Sequence, residues 1–161
     1  MITLSAEEQA IVKTVRDFVD KQVRPVARDL EHANTYPEDL IETMKAMGIY
    51  GLAIPEPYGF AEVSMPCYVQ VTEELARGWM SLAGAMGGHT VVSKLILRFG
   101  TEEQKGKYLP RMATGELRAT MALTEPGGGS DLQAMRTSAV ADDDGYVING
   151  SKTWISNARK A

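Results

Sequence analysis

The residues best suited to bind a ligand lie in a glycine-rich segment that runs from Thr124 to Asp131. Its three consecutive glycines, Gly127 to Gly129, allow backbone N–H groups to approach a ligand closely. The hydroxyl groups of Thr124 and Ser130 lie at the two ends of the segment, an arrangement that suits a planar heterocycle or a phosphate group. A flexible connector has a similar composition, so the segment taken alone leaves both interpretations open.

Two nucleotide-binding motifs with similar letters are excluded by their spacing. Residues 145–153 resemble a P-loop, but Ser151 separates the second glycine from Lys152, whereas a P-loop has the lysine directly after that glycine. Residues 127–132 have Leu132 where a dinucleotide fingerprint needs its third glycine, and no βαβ pattern surrounds them. The sequence therefore predicts neither a P-loop nor a Rossmann fold.

Histidine, acidic and cysteine side chains outside this segment show no catalytic or metal-binding spacing. His32 and His89 are far apart and have no paired ligand nearby, so we predict no metal site and ordinary surface or core roles. Glu73 and Glu74 are neighbours on a predicted helix and point to different faces, so we expect a solvated face. Cys67, the single cysteine, is expected to be a buried small hydrophobic residue.

The composition is that of an ordinary globular protein, since 44% of the 161 residues are hydrophobic and 24% are charged. The net charge of −4 argues against binding to nucleic acid, which requires clustered Lys and Arg residues. The first residues are acidic where a secretory signal is basic, and no apolar run is long enough to span a membrane. We therefore expect a cytoplasmic protein.

The first of two regions, residues 5–112, shows apolar side chains at helical spacing and predicts a helical bundle. The apolar face of its first helix consists of Ile11, Val12, Val15, Phe18 and Val19. Capping boxes, in which two side chains satisfy free backbone N–H groups, predict three helix starts. They are Ser5 with Glu8, Thr35 with Glu38, and Thr101 with Gln104. Further helices are predicted at 68–76 and 85–97, and a proline-containing loop at 51–66.

After Gly115 the pattern changes to short strands and turns. Strands are predicted at 119–124, 138–140, 146–148 and 152–155, the last following a hairpin turn at Asn149-Gly150. We place the domain boundary near Glu116, which gives a domain of residues 1–116 and a domain of residues 117–161. So few strands cannot bury both faces of a sheet, so we expect the chain to be part of a longer protein or assembly.

Two segments at matching spacing resemble the paired signatures of the acyl-CoA dehydrogenase family. They are residues 121–131, MALTEPGGGSD, and residues 146–157, YVINGSKTWISN. Residues 48–59 and 99–110 also resemble the helical domain of that family, so the resemblance covers nearly the whole chain. It is the pairing of the two signatures, and not the glycine-rich segment alone, that indicates a flavin site.

The resemblance implies a fold in which an amino-terminal helical domain precedes a middle β-barrel domain and a carboxy-terminal helical bundle. In this family the flavin ring of FAD is held between the barrel and the bundle. The sequence matches the first domain and part of the second. We therefore expect an α+β chain, with an all-α amino-terminal bundle followed by a partial antiparallel β-barrel domain, and with the carboxy-terminal bundle absent.

The resemblance also implies a set of cofactor-binding residues. They are Met121, Leu123, Thr124, Gly129, Ser130, Trp154, Ile155 and Ser156. Met121, Leu123 and Thr124 are expected to line the flavin ring, Trp154 to pack against it, and Ser156 to form a hydrogen bond near its N5 atom. Ser130 is also expected to bind the CoA portion of the substrate.

Three positions depart from the common pattern of the family. Gly128 stands where Ala is common, Ser156 stands where Thr is common, and Phe60 stands where a second Gly is common. The first two substitutions keep the chemistry that the site requires. Phe60 lies in a predicted loop, where it alters a turn and leaves flavin binding untouched.

The reaction implied is the conversion of an acyl-CoA to a 2,3-enoyl-CoA, with loss of the α proton and transfer of the β hydrogen as hydride to flavin N5. The electrons then pass to an electron-transfer flavoprotein. In this family the base is a glutamate of the carboxy-terminal domain, so we expect no catalytic residue here and a base beyond Ala161. Glu125 is interpreted as a structural residue of the loop. The chain alone should be inactive, and the parent protein a homo-oligomer, either a tetramer or a dimer.

Two alternatives stay open at this point. The chain could be a non-catalytic subunit of an unequal dehydrogenase complex, in which another subunit supplies the base. It could also belong to an acyl-CoA oxidase or a related flavin monooxygenase, which share the scaffold but pass electrons from the reduced flavin to oxygen.

Overall fold

The computed structural model describes residues 3–60 and 62–160, which form a helical region followed by a small sheet. The α-helices in these ranges are α1 (Ala6–Phe18), α2 (Arg24–His32), α3 (Glu38–Ala46), α4 (Met65–Phe99) and α5 (Glu102–Ala113). A π-helical turn (Val19–Val23) joins α1 to α2, and 3-10 turns lie at Ile49–Gly51 and Leu132–Ala134. The strands are β1 (Ser138–Asp142) and β2 (Gly145–Asn149).

Two of the three predicted capping boxes are confirmed. At the start of α1, Glu8 N donates to Ser5 Oγ and Ser5 N donates to Glu8 Oε2, each at 3.1 Å. At the start of α5, Gln104 N donates to Thr101 Oγ1 at 3.2 Å, and Thr101 N donates to Gln104 Oε1 at 2.9 Å. Both helices therefore begin where the sequence pattern places them.

The capping box of Thr35 with Glu38 is wrong. Helix α3 begins at Glu38, directly after Pro37, so the capping position lies two residues later than the pattern requires. The Thr35 hydroxyl instead donates weakly to Ala33 O at 3.5 Å, and the Glu38 carboxylate forms an ion pair with Lys160 at 2.5 Å. The acid at the third residue of a capping box must reach back to the N-cap, and Glu38 is too early in the helix to do so.

Helix α4 contains both helices predicted at 68–76 and 85–97, with a break between them at Trp79 (φ −160°, ψ 110°). Gly78, beside the break, allows α4 to approach the π-helical turn, because an added Cβ would lie 2.6 Å from a methyl carbon of Val19. The predicted loop ends earlier than residue 66. Pro66 lies in the first turn of α4, where its missing N–H costs no hydrogen bond.

The core of the helical region is apolar. Side chains with no measurable exposure include Val19 and Val23 of the π-helical turn, Met44 of α3, and Leu75 of α4. The predicted apolar face of α1 is buried except for Ile11, which is half-buried. Cys67 is buried, as predicted. Burial of this kind is the main source of stability in a small domain.

The expectation that Glu73 and Glu74 both lie on a solvated face is wrong for Glu74, which is 7% exposed. Arg16 of α1 donates to its carboxylate at 2.7 Å, and Arg77 donates to it at 2.8 Å and to Asp20 also at 2.8 Å. Burial alone would raise the pKa of Glu74, but the hydrogen bonds from both arginines outweigh it and lower the pKa. Glu74 therefore joins α4 to α1, while Glu73 stays exposed.

Strands β1 and β2 form the predicted antiparallel pair, with Ser138 opposite Asn149 and Asp142 opposite Gly145. The strands predicted at 119–124 and 152–155 are absent. Gly150 has φ +155° and packs closely against Thr137, so the chain turns away after β2 and does not form the predicted Asn-Gly hairpin. The α+β fold class is confirmed, and the boundary near Glu116 stays a prediction.

The helices show no membrane-spanning character. Within residues 3–60 and 62–160, no helix combines the length and the apolar composition that crossing a bilayer requires.

Candidate functional site

The two segments that carry the predicted site residues lie side by side. Thr153 N donates to Thr124 O at 3.0 Å, and the Thr120 hydroxyl donates to Ser156 O. Because the lower-numbered residue of one segment pairs with the higher-numbered residue of the other, the two segments run antiparallel. Their pairing brings Met121, Leu123 and Thr124 next to Trp154, Ile155 and Ser156. Neither segment forms the predicted strand, and residues 152–155 lie against residues 120–124 and not against β2.

An ion pair between Lys152 and Glu125, the second residue of the glycine-rich segment, holds the two paired segments together. Lys152 Nζ donates to Leu123 O at 3.0 Å and to Glu125 Oε1 at 2.9 Å. The Glu125 carboxylate, 9% exposed, also accepts hydrogen bonds from the backbone N–H groups of Arg136 at 2.7 Å and Thr137 at 2.9 Å. We refer to Glu125 and Lys152 together as the Glu125–Lys152 clamp. It joins three separate parts of the chain.

The clamp keeps Glu125 ionised. The nearby Thr137 side chain, the Arg136 N–H group and the Lys152 ammonium group hold the pKa of the Glu125 carboxyl well below its usual range. The Thr137 hydroxyl has no hydrogen-bond partner among the described residues, so the N–H donors are the main cause. A carboxylate with so low a pKa is a poor proton acceptor near neutral pH. This geometry agrees with a structural role for Glu125.

The glycine-rich segment forms an open turn directly after Glu125 of the clamp. Glu125 N donates to Gly128 O at 3.0 Å, and Gly128 N donates to Glu125 O at 3.1 Å. A Cβ atom added at Gly127 or Gly128 would meet no atom within 4 Å, so a ligand could approach this backbone. Gly129 packs against Thr124, and Ser130 is exposed. A cleft of about 340 Å³ lies beside the turn.

Trp154 is the most exposed large apolar side chain at the site, at 89%. Its backbone is in the left-handed region (φ +59°), which is strained for a bulky side chain, whereas Asn157, also in this region (φ +62°), is a residue that adopts it readily. Asn157 Nδ2 donates to Ala85 O of α4 at 3.4 Å, which holds the segment to the helical region. A strained backbone of this kind is enriched at functional sites, which agrees with a ligand-binding role for Trp154.

A second, larger cleft adjoins the paired segments. It has a volume of about 910 Å³, lies between the α2–α3 connection and the break in α4, and reaches Ser156 and Asn157. Its lining is largely apolar and includes Ile41, Met80 and Ala83. The site therefore opens into a space that could accept an apolar ligand group.

Sequence reasoning missed the contacts that hold the site in place. In the sequence analysis Lys152 was assigned no role beyond excluding a P-loop. Its place between a turn and an apolar strand pattern could have indicated a buried partner. His89, whose Nδ1 atom accepts a hydrogen bond from Ala119 N at 3.3 Å, gave no signal at all. Within the part of the chain that the structure describes, no three His, Cys, Asp or Glu residues converge to hold a metal ion.

Two family models match the sequence. The model "Acyl-CoA dehydrogenase, N-terminal domain" matches residues 5–116, and the model "Acyl-CoA dehydrogenase, middle domain" matches residues 120–161. The chain belongs to the acyl-CoA dehydrogenase family. The resemblance noted from its two signatures is thereby confirmed, and the match to the middle domain contains both of the paired segments.

Individual acyl-CoA dehydrogenases are similar to most of this chain. The (2S)-methylsuccinyl-CoA dehydrogenase of Cereibacter sphaeroides is 39% identical, over 98% of this chain and 29% of that protein. The acyl-CoA dehydrogenase of Bacillus subtilis (strain 168) is 37% identical, over 98% of this chain and 42% of that protein. An acyl-CoA dehydrogenase from Bacillus anthracis, solved in complex with FAD, matches with a TM-score of 0.84 at 38% identity, over 96% of this chain and 27% of that one. The chain thus spans less than half the length of these acyl-CoA dehydrogenases.

Proposed function

We propose that this chain supplies the flavin-facing surface of an FAD-dependent acyl-CoA dehydrogenase, which converts an acyl-CoA to a 2,3-enoyl-CoA. One observation carries the proposal. The antiparallel pairing of residues 120–124 with residues 153–156 brings an exposed indole, a hydroxyl group and unpaired backbone donors together in a family whose members include an FAD complex.

The groups present fit a flavin ring. The backbone N–H groups of Met121, Leu123 and Thr124 have no hydrogen-bond partner among the described residues, so they are available to the polar edge of a heterocycle. Trp154 offers a large aromatic face, and Ser156 is exposed beside it. When bound, FAD supplies the redox chemistry by accepting a hydride equivalent from the acyl group.

In this proposal the residues of the chain bind and orient the cofactor and the substrate. With FAD bound, Met121, Ile155 and the face of Trp154 would exclude water from the reacting groups, and the Ser156 hydroxyl would be available to donate a hydrogen bond to the ring. Gly129 and Ser130 lie on the open turn, where the Ser130 hydroxyl is available to the CoA portion of the substrate. The larger apolar cleft that reaches Ser156 is positioned to accept the acyl chain.

Removal of the α proton requires a different group from any at this site. Glu125, the carboxylate nearest the paired segments, is engaged by three N–H donors and has a strongly lowered pKa. We therefore propose that the base lies beyond Ala161 and that residues 1–161 alone do not turn over substrate. Family membership supports an electron-transfer flavoprotein as acceptor and a homo-oligomeric assembly, and the proposal of a cytoplasmic location rests on the acidic first residues.

The proposal is tested with the complete product of the encoding gene, purified and mixed with a series of acyl-CoA thioesters without oxygen. A dehydrogenase bleaches the absorbance of its flavin and forms an enoyl-CoA. Ser156→Ala should slow this bleaching by about tenfold, the value of one well-placed hydrogen bond. Ser138→Ala, at an exposed serine of β1 outside the paired segments, is the matched control and should have no effect. A protein that holds no flavin, or that bleaches with no thioester, contradicts the proposal.

Mixing the reduced protein with air distinguishes the oxidase alternative. A dehydrogenase should be reoxidised slowly by oxygen and rapidly by an electron-transfer flavoprotein. Fast reoxidation by oxygen alone would identify an oxidase on the same scaffold.

A further inference from the structure

His89 is a buried polar residue that, among residues 3–60 and 62–160, takes part in no helix cap and no ion pair. It lies on α4 with no measurable exposure, and its ring meets the ring of Tyr50 edge-on, with 5.1 Å between the ring centres and 85° between the planes. Its backbone carbonyl accepts a hydrogen bond from Ser93 Oγ at 2.9 Å. Packing on all sides therefore fixes the position of the imidazole.

The imidazole has one hydrogen bond to another part of the chain. Ala119 N donates to His89 Nδ1 at 3.3 Å, which requires a neutral ring with its proton on Nε2. Burial lowers the pKa of His89 to about 4, and the nearby carbonyl groups of Met112 and Tyr50 oppose this only in part. Neither carbonyl meets Nε2 in hydrogen-bonding geometry. The ring is therefore neutral at pH 7 and available as an acceptor.

Ala119 lies where the chain passes from the helical region to the paired segments. The next residue, Thr120, bonds through its hydroxyl to Ser156 O, and the segment then reaches Met121 and Thr124. A backbone shift at Ala119 would therefore be passed directly to the paired segments. Two other contacts hold the chain before Ala119. Leu117 N donates to Arg111 O at 3.0 Å, and Arg118 donates to the Tyr36 hydroxyl at 2.8 Å through a long side chain, but neither contact reaches Ala119 itself.

We propose that His89 is a positioning residue for the flavin site, acting through its hydrogen bond to the backbone of Ala119. A rigid acceptor in the helical core sets where residues 120–124 leave the helical region. It thereby sets where their unpaired N–H groups point. The part of this inference that concerns flavin rests on the proposed function, whereas the positioning of residues 119–124 does not.

Two substitutions separate positioning from packing. His89→Phe keeps an aromatic ring against Tyr50 and removes the acceptor, while His89→Asn keeps an acceptor near the place of Nδ1 and removes the ring. Amide hydrogen exchange of Ala119 is measured by NMR in the 161-residue chain, relative to amides of α1 and α4. We expect His89→Phe to accelerate exchange at Ala119 and its neighbours by about tenfold, and His89→Asn to preserve their relative protection. The opposite order, or equal exchange in both variants, overturns the proposal.

A measurement on the unmodified chain covers the case in which a variant does not fold. A scalar coupling between Ala119 N and His89 Nδ1 demonstrates the hydrogen bond directly, and a His89 ring protonated at Nδ1 disproves it. A flavin titration of the complete gene product and of its His89→Phe variant tests the flavin part of the inference. Fast exchange in His89→Phe together with about tenfold weaker FAD binding supports the whole inference. Fast exchange in His89→Phe, together with a complete gene product that binds no FAD, overturns the proposed function and the flavin part of the inference, and leaves the positioning role intact.

Discussion

Residues 3–113 and residues 117–160 are held together by different interactions. In the helical region, apolar side chains from four helices and the π-helical turn pack into a core, and many of them have no measurable exposure. Among the described residues after Glu116, the only buried residue is the charged Glu125. Both strands of the hairpin are exposed along their whole length, and Trp154 is 89% exposed.

This difference indicates a division of labour between stability and binding. An apolar core resists unfolding but offers no specific contact to a ligand, whereas a network of hydrogen bonds fixes direction and contributes little net stability. The paired segments are therefore held in place by the Glu125–Lys152 clamp, by His89 and by Asn157, while Trp154 is exposed and Met121, Leu123 and Ile155 are only half-buried. Exposed apolar surface of this extent is typical of a binding face.

The largest expected effect on stability is that of a substitution that creates a cavity in the helical core. Leu75 on α4 has no measurable exposure, so Leu75→Ala should lower the free energy of unfolding by about 2–5 kcal/mol. Val147→Ala, in the exposed hairpin, should change it by about 0.5 kcal/mol or less. Urea denaturation followed by circular dichroism measures both. Equal losses would show that the hairpin contributes to the core and would contradict the division described above.

The second largest effect expected is a pH dependence of stability that originates at His89. The folded pKa of about 4 lies below the ordinary value of 6.5, so the folded state resists protonation. Its stabilising contribution is complete above pH 6.5 and is lost as the pH falls toward 4, by on the order of 3 kcal/mol. Chemical denaturation at several pH values should show this slope in the unmodified chain and lose it in His89→Asn. His32→Asn, at an exposed position, should retain the slope, and its loss there would contradict the assignment.

A smaller effect is expected where α4 joins α1. Glu74→Gln removes the charge that Arg16 and Arg77 share and should lower the free energy of unfolding by about 1–2 kcal/mol. Glu73→Gln is the matched control at the exposed neighbouring position. Thermal denaturation should distinguish the two variants, and the loss should shrink in high salt because both arginines are partly exposed. Indistinguishable melting curves would show that Glu74 does not stabilise the contact between α4 and α1.

Lys152→Met is expected to have the smallest effect on global stability. Its main effect should be a local loosening of the backbone at the site. This change leaves Glu125 with its two backbone donors but releases Leu123 O and one side of the clamp. The free energy of unfolding of the helices should change by about 0.5 kcal/mol or less, while amide exchange accelerates around residues 123–125 and 136–137. Lys107→Met, an exposed lysine of α5, is the control. Global unfolding of Lys152→Met would mean that the two regions are not separable.

The helical region was largely predictable because its signals are local. The capping boxes at Ser5 and Thr101 and the apolar spacing in α1 and α4 each lie within a few residues of the structure that they specify. The box at Thr35 failed because Pro37 moved the start of α3. The exposure of Glu74 was mispredicted because the neighbouring helix, and not its own sequence, decides which face is buried.

The site was predictable in its residues but not in its geometry. The paired signatures identified both segments, yet the partner of residues 152–155 is residues 120–124 and not β2, because the chain turns away at Gly150. The Glu125–Lys152 clamp joins positions 27 residues apart, and His89 lies 30 residues from Ala119. No local pattern reports contacts at such separations.

The central claim, that the paired segments form a flavin-binding surface, is tested most directly by an NMR titration of the isotope-labelled chain with FAD. Because the indole of Trp154 and the adjoining backbone donors are open on one side, binding should be weak. The shift changes should be confined to the amides of residues 121–124 and 154–156 and to the Trp154 indole N–H, with the Trp79 indole N–H unchanged as an internal reference. Shift changes centred in another part of the chain would contradict the claim.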